Sequence, residues 1–168
     1  PAGCGGVIFT PWLHGNRCPF EDPNARGMFF NISLETGKTE LIRAVVEGTC
    51  MHLRWFLETE DKKTKTSDVL RFVGGGALSD VTCQILADCT GRTVEVVASP
   101  QNVGAVGAAV ISAVGLGMIG SIEEAKKLVP AKKTFIPNPS LKPIYDKNFA
   151  VFKNLYKSNK ENFEALNG

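Results

Sequence analysis

Three glycines and an alanine, Gly74-Gly75-Gly76-Ala77, stand between a β-rich run, Val69 to Val73, and a helical pattern from Asp80 to Thr90. A helix start exposes amide N–H groups that have no partner inside the helix, together with the positive end of the helix dipole. Glycines let a ligand approach that backbone closely, so a strand–glycine–helix turn suits a phosphate or a nucleotide. The same turn also serves as a tight β–α connection without a ligand, and the residues alone leave both uses open. Asp80 cuts against a simple phosphate site, because a carboxylate in the first helical turn repels an anion placed beneath it. It suits helix capping, or acceptance of a hydrogen bond from a ribose or a nucleobase edge.

Two other glycine motifs fail on context. Thr36-Gly37-Lys38-Thr39 matches the end of a Walker A loop, but Ile32 stands where the first glycine belongs. Gly104, Gly107, Gly115 and Gly117 fall in and after a helical stretch rather than after a strand, where small residues are expected to permit tight packing. Asp22, Asp80 and Glu47 are the acidic candidates for acid–base chemistry. None is assigned as a base: Asp22 reads as a turn residue and Glu47 lies on a packing helix.

The five cysteines, Cys4, Cys18, Cys50, Cys83 and Cys89, are odd in number and have no CxxC spacing. That excludes a complete disulfide framework and gives no zinc ligand set. Cys83 and Cys89 fall inside a helical pattern, where a small buried thiol is expected. A redox role for either is the competing reading. His14 and His52 are too far apart in sequence to form a local metal pair.

The elements that must position these residues alternate between strand and helix, which places the chain in the α/β class. Val7 to Thr10 reads as a short strand ended by Pro11, and Met28 to Ile32 as a second. The polar loop between them carries Trp12 and Phe20 as anchors. Thr39 to Leu57 has helical periodicity, with Thr39 as N-cap and Leu41, Val45, Thr49, His52 and Phe56 on one face. Gly48 lies in mid-helix, where it lowers helix stability, so a close neighbour is expected there. Glu58 to Ser67 reads as a solvated, charged turn region. Thr93 to Val97 is another strand, Val103 to Val114 a small-residue helix, and Ser121 opens a short helix. Pro130 to Pro143 reads as extended, and Ile144 to Leu155 as an amphipathic helix trailing into a polar tail.

Length, at 168 residues, fits one domain, and a 43% hydrophobic share excludes a disordered chain. The net charge of +2, with both signs interspersed, gives no electrostatic reason to expect nucleic acid or an anionic membrane as partner. The most apolar stretch, Val103 to Ile119, is interrupted by four glycines and reads as no membrane span. Reduced thiols and the lack of a secretory pattern lead us to expect a cytoplasmic protein. The opening Pro1-Ala2-Gly3-Cys4-Gly5-Gly6 has no Met and reads as the interior of a longer polypeptide.

The order of motifs resembles the C-terminal domain of the FGGY carbohydrate kinases, and within them the branch that phosphorylates xylulose. The residues that carry the likeness are Gly6-Val-Ile-Phe-Thr-Pro-Trp-Leu13, Asp22-Pro-Asn-Ala-Arg-Gly27, Leu41-Ile-Arg-Ala-Val-Val-Glu-Gly48, Phe72-Val-Gly-Gly-Gly-Ala77 with Gln84-Ile-Leu-Ala-Asp88, and Gly104-Ala-Val-Gly-Ala-Ala109. Two positions depart from the family pattern. Asn31 stands where the signature has glycine, and Asn tolerates left-handed backbone. His14-Gly15-Asn16-Arg17 stands where relatives read Ser-Gly-Glu-Arg.

The resemblance implies an actin-like ATPase, ribonuclease-H-like fold, with a mixed sheet flanked by helices. Residues 1–168 would form the nucleotide-binding domain of a two-domain kinase. By motif matching, Gly74, Gly75, Gly76 and Ala77 line the ATP site, and Asp80 falls where relatives place a polar residue near the adenine. The resemblance further implies Mg²⁺ bound with ATP, and a small sugar held by an N-terminal half that also supplies the catalytic carboxylate. The isolated chain is thus expected to be inactive. A homodimer is compatible with the family. Gluconate, ribulose or glycerol as the substrate, and a non-catalytic nucleotide-binding module, are the alternatives.

Overall fold

The computed structural model describes residues 1–124 and 128–168. It divides into two compact units. The first comprises Pro1–Ser67, Asp88–Gly91 and Pro137–Gly168, and the second Asp68–Ala87 and Arg92–Ile136.

In the first unit, strands β1 (Ile8–Thr10) and β2 (Met28–Phe30) pair antiparallel, with Phe9 opposite Phe29. Asn31, just after β2, takes a left-handed φ of 65°, a conformation in which asparagine replaces glycine with little strain. Helix α1 spans Lys38–Asp61, longer than the periodicity indicates. Its first turn is closed by Gly37, whose amide donates to Glu40 Oε2 at 3.1 Å, so Thr39 is a helical residue and not the cap. The helix continues through the charged stretch to Asp61, and Lys153 of the C-terminal helix pairs with Glu58 at 2.7 Å.

The buried residues of α1 are Ala44, Glu47, Gly48, Cys50 and Met51, offset from the stripe of Leu41, Val45, Thr49, His52 and Phe56. Val45, Thr49 and Phe56 are exposed. The reason lies at Gly48: a Cβ there would stand 2.1 Å from the Phe9 carbonyl oxygen, so β1 crosses the helix at its glycine. The close neighbour expected at that position is this strand. Its approach decides which face turns inward.

Glu47, 1% exposed, is the polar centre of this packing. Its Oε1 accepts the Gly3 amide at 3.1 Å, Arg43 Nε at 2.7 Å and the Tyr145 hydroxyl at 3.0 Å. Arg43 also donates to the Tyr145 oxygen at 3.2 Å. One carboxylate thereby ties the turn before β1 to α1 and to the C-terminal helix. Its Oε2 has no partner among the described residues.

The C-terminal helix, named α4, runs Lys142–Asn167 rather than ending near Leu155. Its polar second half stays helical because Phe163 is buried against Trp12, edge-on at 6.3 Å, and Asn167 donates to the Asn24 carbonyl at 3.1 Å. Trp12 also meets Phe20 edge-on at 5.4 Å, and Phe20 stacks on Tyr156 at 3.6 Å, so both anchors of the loop are engaged. Asp22 Oδ1 accepts the amides of Asn24 and Ala25 at 2.8 and 3.2 Å, the geometry of an Asx turn.

In the second unit, β3 (Val69–Arg71) lies parallel to β4 (Thr93–Val97), and β5 (Ala131–Phe135) lies antiparallel on the far side of β4. The stretch expected to be extended therefore contains an edge strand, and its later residues, in the first unit, form a 3₁₀ turn, Pro139–Leu141. Helix α2 spans Asp80–Thr90, its residues up to Ala87 in this unit and the last three in the first, and α3 spans Val103–Gly115. In α3 the glycines do not pack tightly: a Cβ on Gly104 or Gly107 would meet nothing within 4 Å. The short helix read from Ser121 is a 3₁₀ turn at Ile122–Glu124, and residues 125–127 lie outside the described residues.

Removing the Glu47 carboxylate leaves the Gly3 amide, Arg43 and Tyr145 without their shared acceptor. We expect Glu47→Ala to cost about 3–5 kcal/mol in urea unfolding. Glu47→Gln, which keeps an acceptor and the volume, should cost clearly less. Equal losses would show that the carboxylate charge itself is required, and that a neutral acceptor of the same volume does not replace it.

Candidate functional site

Strand β3 delivers the chain to the glycines through Phe72 and Val73. Gly74 has φ 89° and ψ −172°, a backbone region that residues with a Cβ avoid. Its amide donates to the Pro100 carbonyl at 2.9 Å, and its own carbonyl accepts the Ala77 amide at 3.2 Å. This closes a 3₁₀ turn, Gly75–Leu78, before α2 begins. The amides of Gly75 and Gly76 find no acceptor among the described residues.

The glycines differ in what surrounds them. A Cβ on Gly75 would meet nothing within 4 Å, whereas one on Gly76 would stand 3.0 Å from the Phe72 ring. Gly75 is therefore the open approach to the turn, and Gly76 is close-packed on one side. Ala77 is buried, and its carbonyl accepts the Cys83 thiol at 3.7 Å.

Asp80 does not cap α2. Ser79 does, its Oγ accepting the Thr82 amide at 3.2 Å. The Asp80 carboxylate is instead held by Lys133 of β5, with Nζ at 2.7 Å from Oδ1 and 2.9 Å from Oδ2. Lys133 went unread in the sequence because nothing local joins positions 80 and 133. Only the antiparallel addition of β5 to β4, with Lys133 opposite Val96, brings them together.

Beside the turn, a pocket of about 130 Å³ is lined by Ala77, Leu78, Val97, Pro100, Lys132 and Lys133, among others. It lies where β4 runs out at its carboxyl end, the position at which open α/β sheets hold their ligands. Its walls are mainly aliphatic, with the lysines of β5 as its charged groups. The site residues read from the sequence thus fall in one unit around one turn, while Asp22 and Glu47 belong to the other unit.

Among the described residues, no group of three or more His, Cys, Asp or Glu side chains is arranged to hold a metal, and no helix is long and apolar enough to cross a membrane. Four of the cysteines are buried, and Cys18 alone is exposed. Burial, reinforced by the Glu47 carboxylate, pushes the Cys4 thiol up to about 12. Burial likewise raises Cys83 and Cys89. A redox thiol needs the opposite shift. Asn16 donates through Nδ2 to the carbonyls of Cys18 and Phe20 at 3.0 and 2.8 Å, bonds that a carboxylate cannot make.

Residues 1–116 match the profile of the C-terminal domain of the FGGY family of carbohydrate kinases. The chain belongs to that family. It is 34% identical to a xylulose kinase of Lactococcus lactis subsp. lactis (strain IL1403) over 162 residues, 95% of this chain and 32% of that protein. Ligand-bound xylulose kinase from Lactobacillus acidophilus superposes with a TM-score of 0.89 at 28% identity, over 99% of this chain and 34% of that one. A gluconate kinase from the same organism gives 0.88 at 28% identity, with the same coverage. The chain thus spans about a third of the length of these relatives, and carries part of their actin-like, ribonuclease-H-like ATPase fold.

The burial pattern predicts the thiol chemistry. In the native protein at mildly alkaline pH, a thiol reagent should label Cys18 quickly and the other four only on denaturation. Fast native labelling of Cys83 or Cys89 would reopen the redox reading.

Proposed function

We propose that this chain is the nucleotide-binding, C-terminal part of an ATP-dependent sugar kinase, which transfers the γ-phosphoryl group of MgATP to a sugar hydroxyl. D-Xylulose, giving D-xylulose 5-phosphate, is the substrate we favour, because relatives named xylulose kinase align over nearly the whole chain. Gluconate is the second reading, supported by the equally good superposition of a gluconate kinase. A role in xylose metabolism in the cytoplasm goes with the first.

The observation that carries the nucleotide site is the pair of unengaged amides at Gly75 and Gly76, on a turn whose outer face is open at Gly75. Backbone donors fixed in place before the ligand arrives cost no reorganisation when they meet phosphate oxygens. In this reading Gly74 sets the turn, Gly75 and Gly76 donate to the nucleotide, and the backbone at Ala77 forms a wall of the aliphatic pocket beside them. Asp80 stands at the rim. Phosphoryl transfer depends mainly on positioning and on charge neutralisation, part of which the magnesium ion of MgATP would supply when bound. This chain supplies positioning. Closure of the remaining domain over it would exclude water.

Gly75→Val tests the site at a position where the new Cβ meets nothing within 4 Å. In the complete kinase it should weaken MgATP binding about ten-fold or more in calorimetry, through lost close contacts to phosphate, while leaving the thermal midpoint of the apo protein nearly unchanged. Unaltered binding would move the nucleotide away from this turn. The isolated chain should consume no ATP in response to sugar. Sustained sugar-dependent turnover by the pure chain would show that one third of such a kinase suffices.

A further inference from the structure

An ion pair that spans the sequence from the first turn of α2 to an edge strand stands beside the glycine turn, and its stability value is small. The side chains of Lys133 and Asp80 are 51% and 59% exposed, and pairs so exposed contribute little to folding. The geometry is nonetheless well defined, with one ammonium reaching both carboxylate oxygens at 2.7 and 2.9 Å. Lys133 also lines the pocket next to Ala77 and Leu78.

Without Lys133, the rim of the turn would carry a bare carboxylate. Asp80 lies four residues beyond Gly76, and a full negative charge there opposes a polyphosphate approaching the Gly75 and Gly76 amides. We propose that Lys133 is a positioning residue for the nucleotide that acts through Asp80, cancelling its charge so that a nucleoside polyphosphate can settle on the turn. This rests on the nucleotide reading above. It further assigns to the pair a preference that grows with the number of phosphates on the ligand, since a neutral nucleoside gains nothing from cancellation of a charge.

The test is a double-mutant cycle in the complete kinase, with ATP and adenosine as probes in calorimetry at low ionic strength. Lys133→Met should weaken MgATP binding about five-fold, leave adenosine binding unchanged, and raise KM for ATP with kcat preserved. Adding Asp80→Asn to Lys133→Met should restore ATP affinity to within about two-fold of the parent protein, because no charge is left to neutralise. The ATP defect of Lys133→Met should also shrink as salt is added.

A loss of ATP affinity that persists in the double variant would overturn the proposal and make Lys133 a direct ligand. Equal losses for ATP and adenosine would overturn it in favour of a purely structural pair. So would an unchanged ATP affinity in Lys133→Met, if Gly75→Val still weakens binding. Normal ATP binding by Gly75→Val would remove both this inference and the nucleotide site beneath it.

Discussion

Much of the first unit depends on one buried carboxylate finding enough donors. A glutamate taken out of water costs several kcal/mol unless hydrogen bonds replace its hydration. Glu47 recovers three of them, from a backbone amide ahead of β1, from Arg43 one turn earlier on its own helix, and from the phenol of Tyr145. Those donors come from segments far apart in the chain. The carboxylate therefore specifies which segments must meet, whereas apolar packing alone would tolerate several arrangements. Gly48, the next residue, completes the constraint by letting the Phe9 carbonyl approach where any Cβ would collide. Charge and space at two successive positions fix the passage of β1 over α1.

The second unit solves a different problem by the opposite means. Among the described residues, its glycine turn leaves donors unsatisfied at Gly75 and Gly76, and keeps the space outside Gly75 open. Unpaired amides are tolerable where water reaches them and useful where an anion can replace that water. The turn is held from behind: Pro100 accepts from Gly74, and the Phe72 ring supports Gly76. A rigid support with an open outer face is what a backbone-lined ligand site requires.

Sequence reading picked out the glycine turn and most elements because their signals are local. Helix α2 and strand β4 were legible from end to end, since the apolar pattern and the stop at Gly91 lie within one window. The glycine turn was recognisable for the same reason. The inward face of α1 was misread because periodicity ranks residues by hydropathy. A buried glutamate and a glycine look like solvent-facing positions until Tyr145 and Phe9 are in place. The second half of α4 was hidden in a polar stretch whose helical state depends on Phe163 reaching Trp12. Strand β5, Ala131-Lys-Lys-Thr-Phe135, is mostly polar because it is an edge, where lysines discourage further pairing. The partner of Asp80 lay on that strand, and so could not be read either.

The acidic candidates show why phosphoryl transfer needs more than these residues. A general base must reach the substrate hydroxyl with a free lone pair. Asp22 spends Oδ1 on two amides of its own turn and is buried. Glu47 is shut inside the first unit with three donors on one oxygen. Asp80 gives both oxygens to Lys133. Each has a structural or electrostatic task that competes with proton abstraction, and moving any one of them to that role would dismantle what it holds. In the proposed kinase, the base must therefore come from the remaining two thirds of a protein of its relatives' length. In that proposal, this chain presents backbone donors to the nucleotide, with the Asp80 carboxylate paired to Lys133.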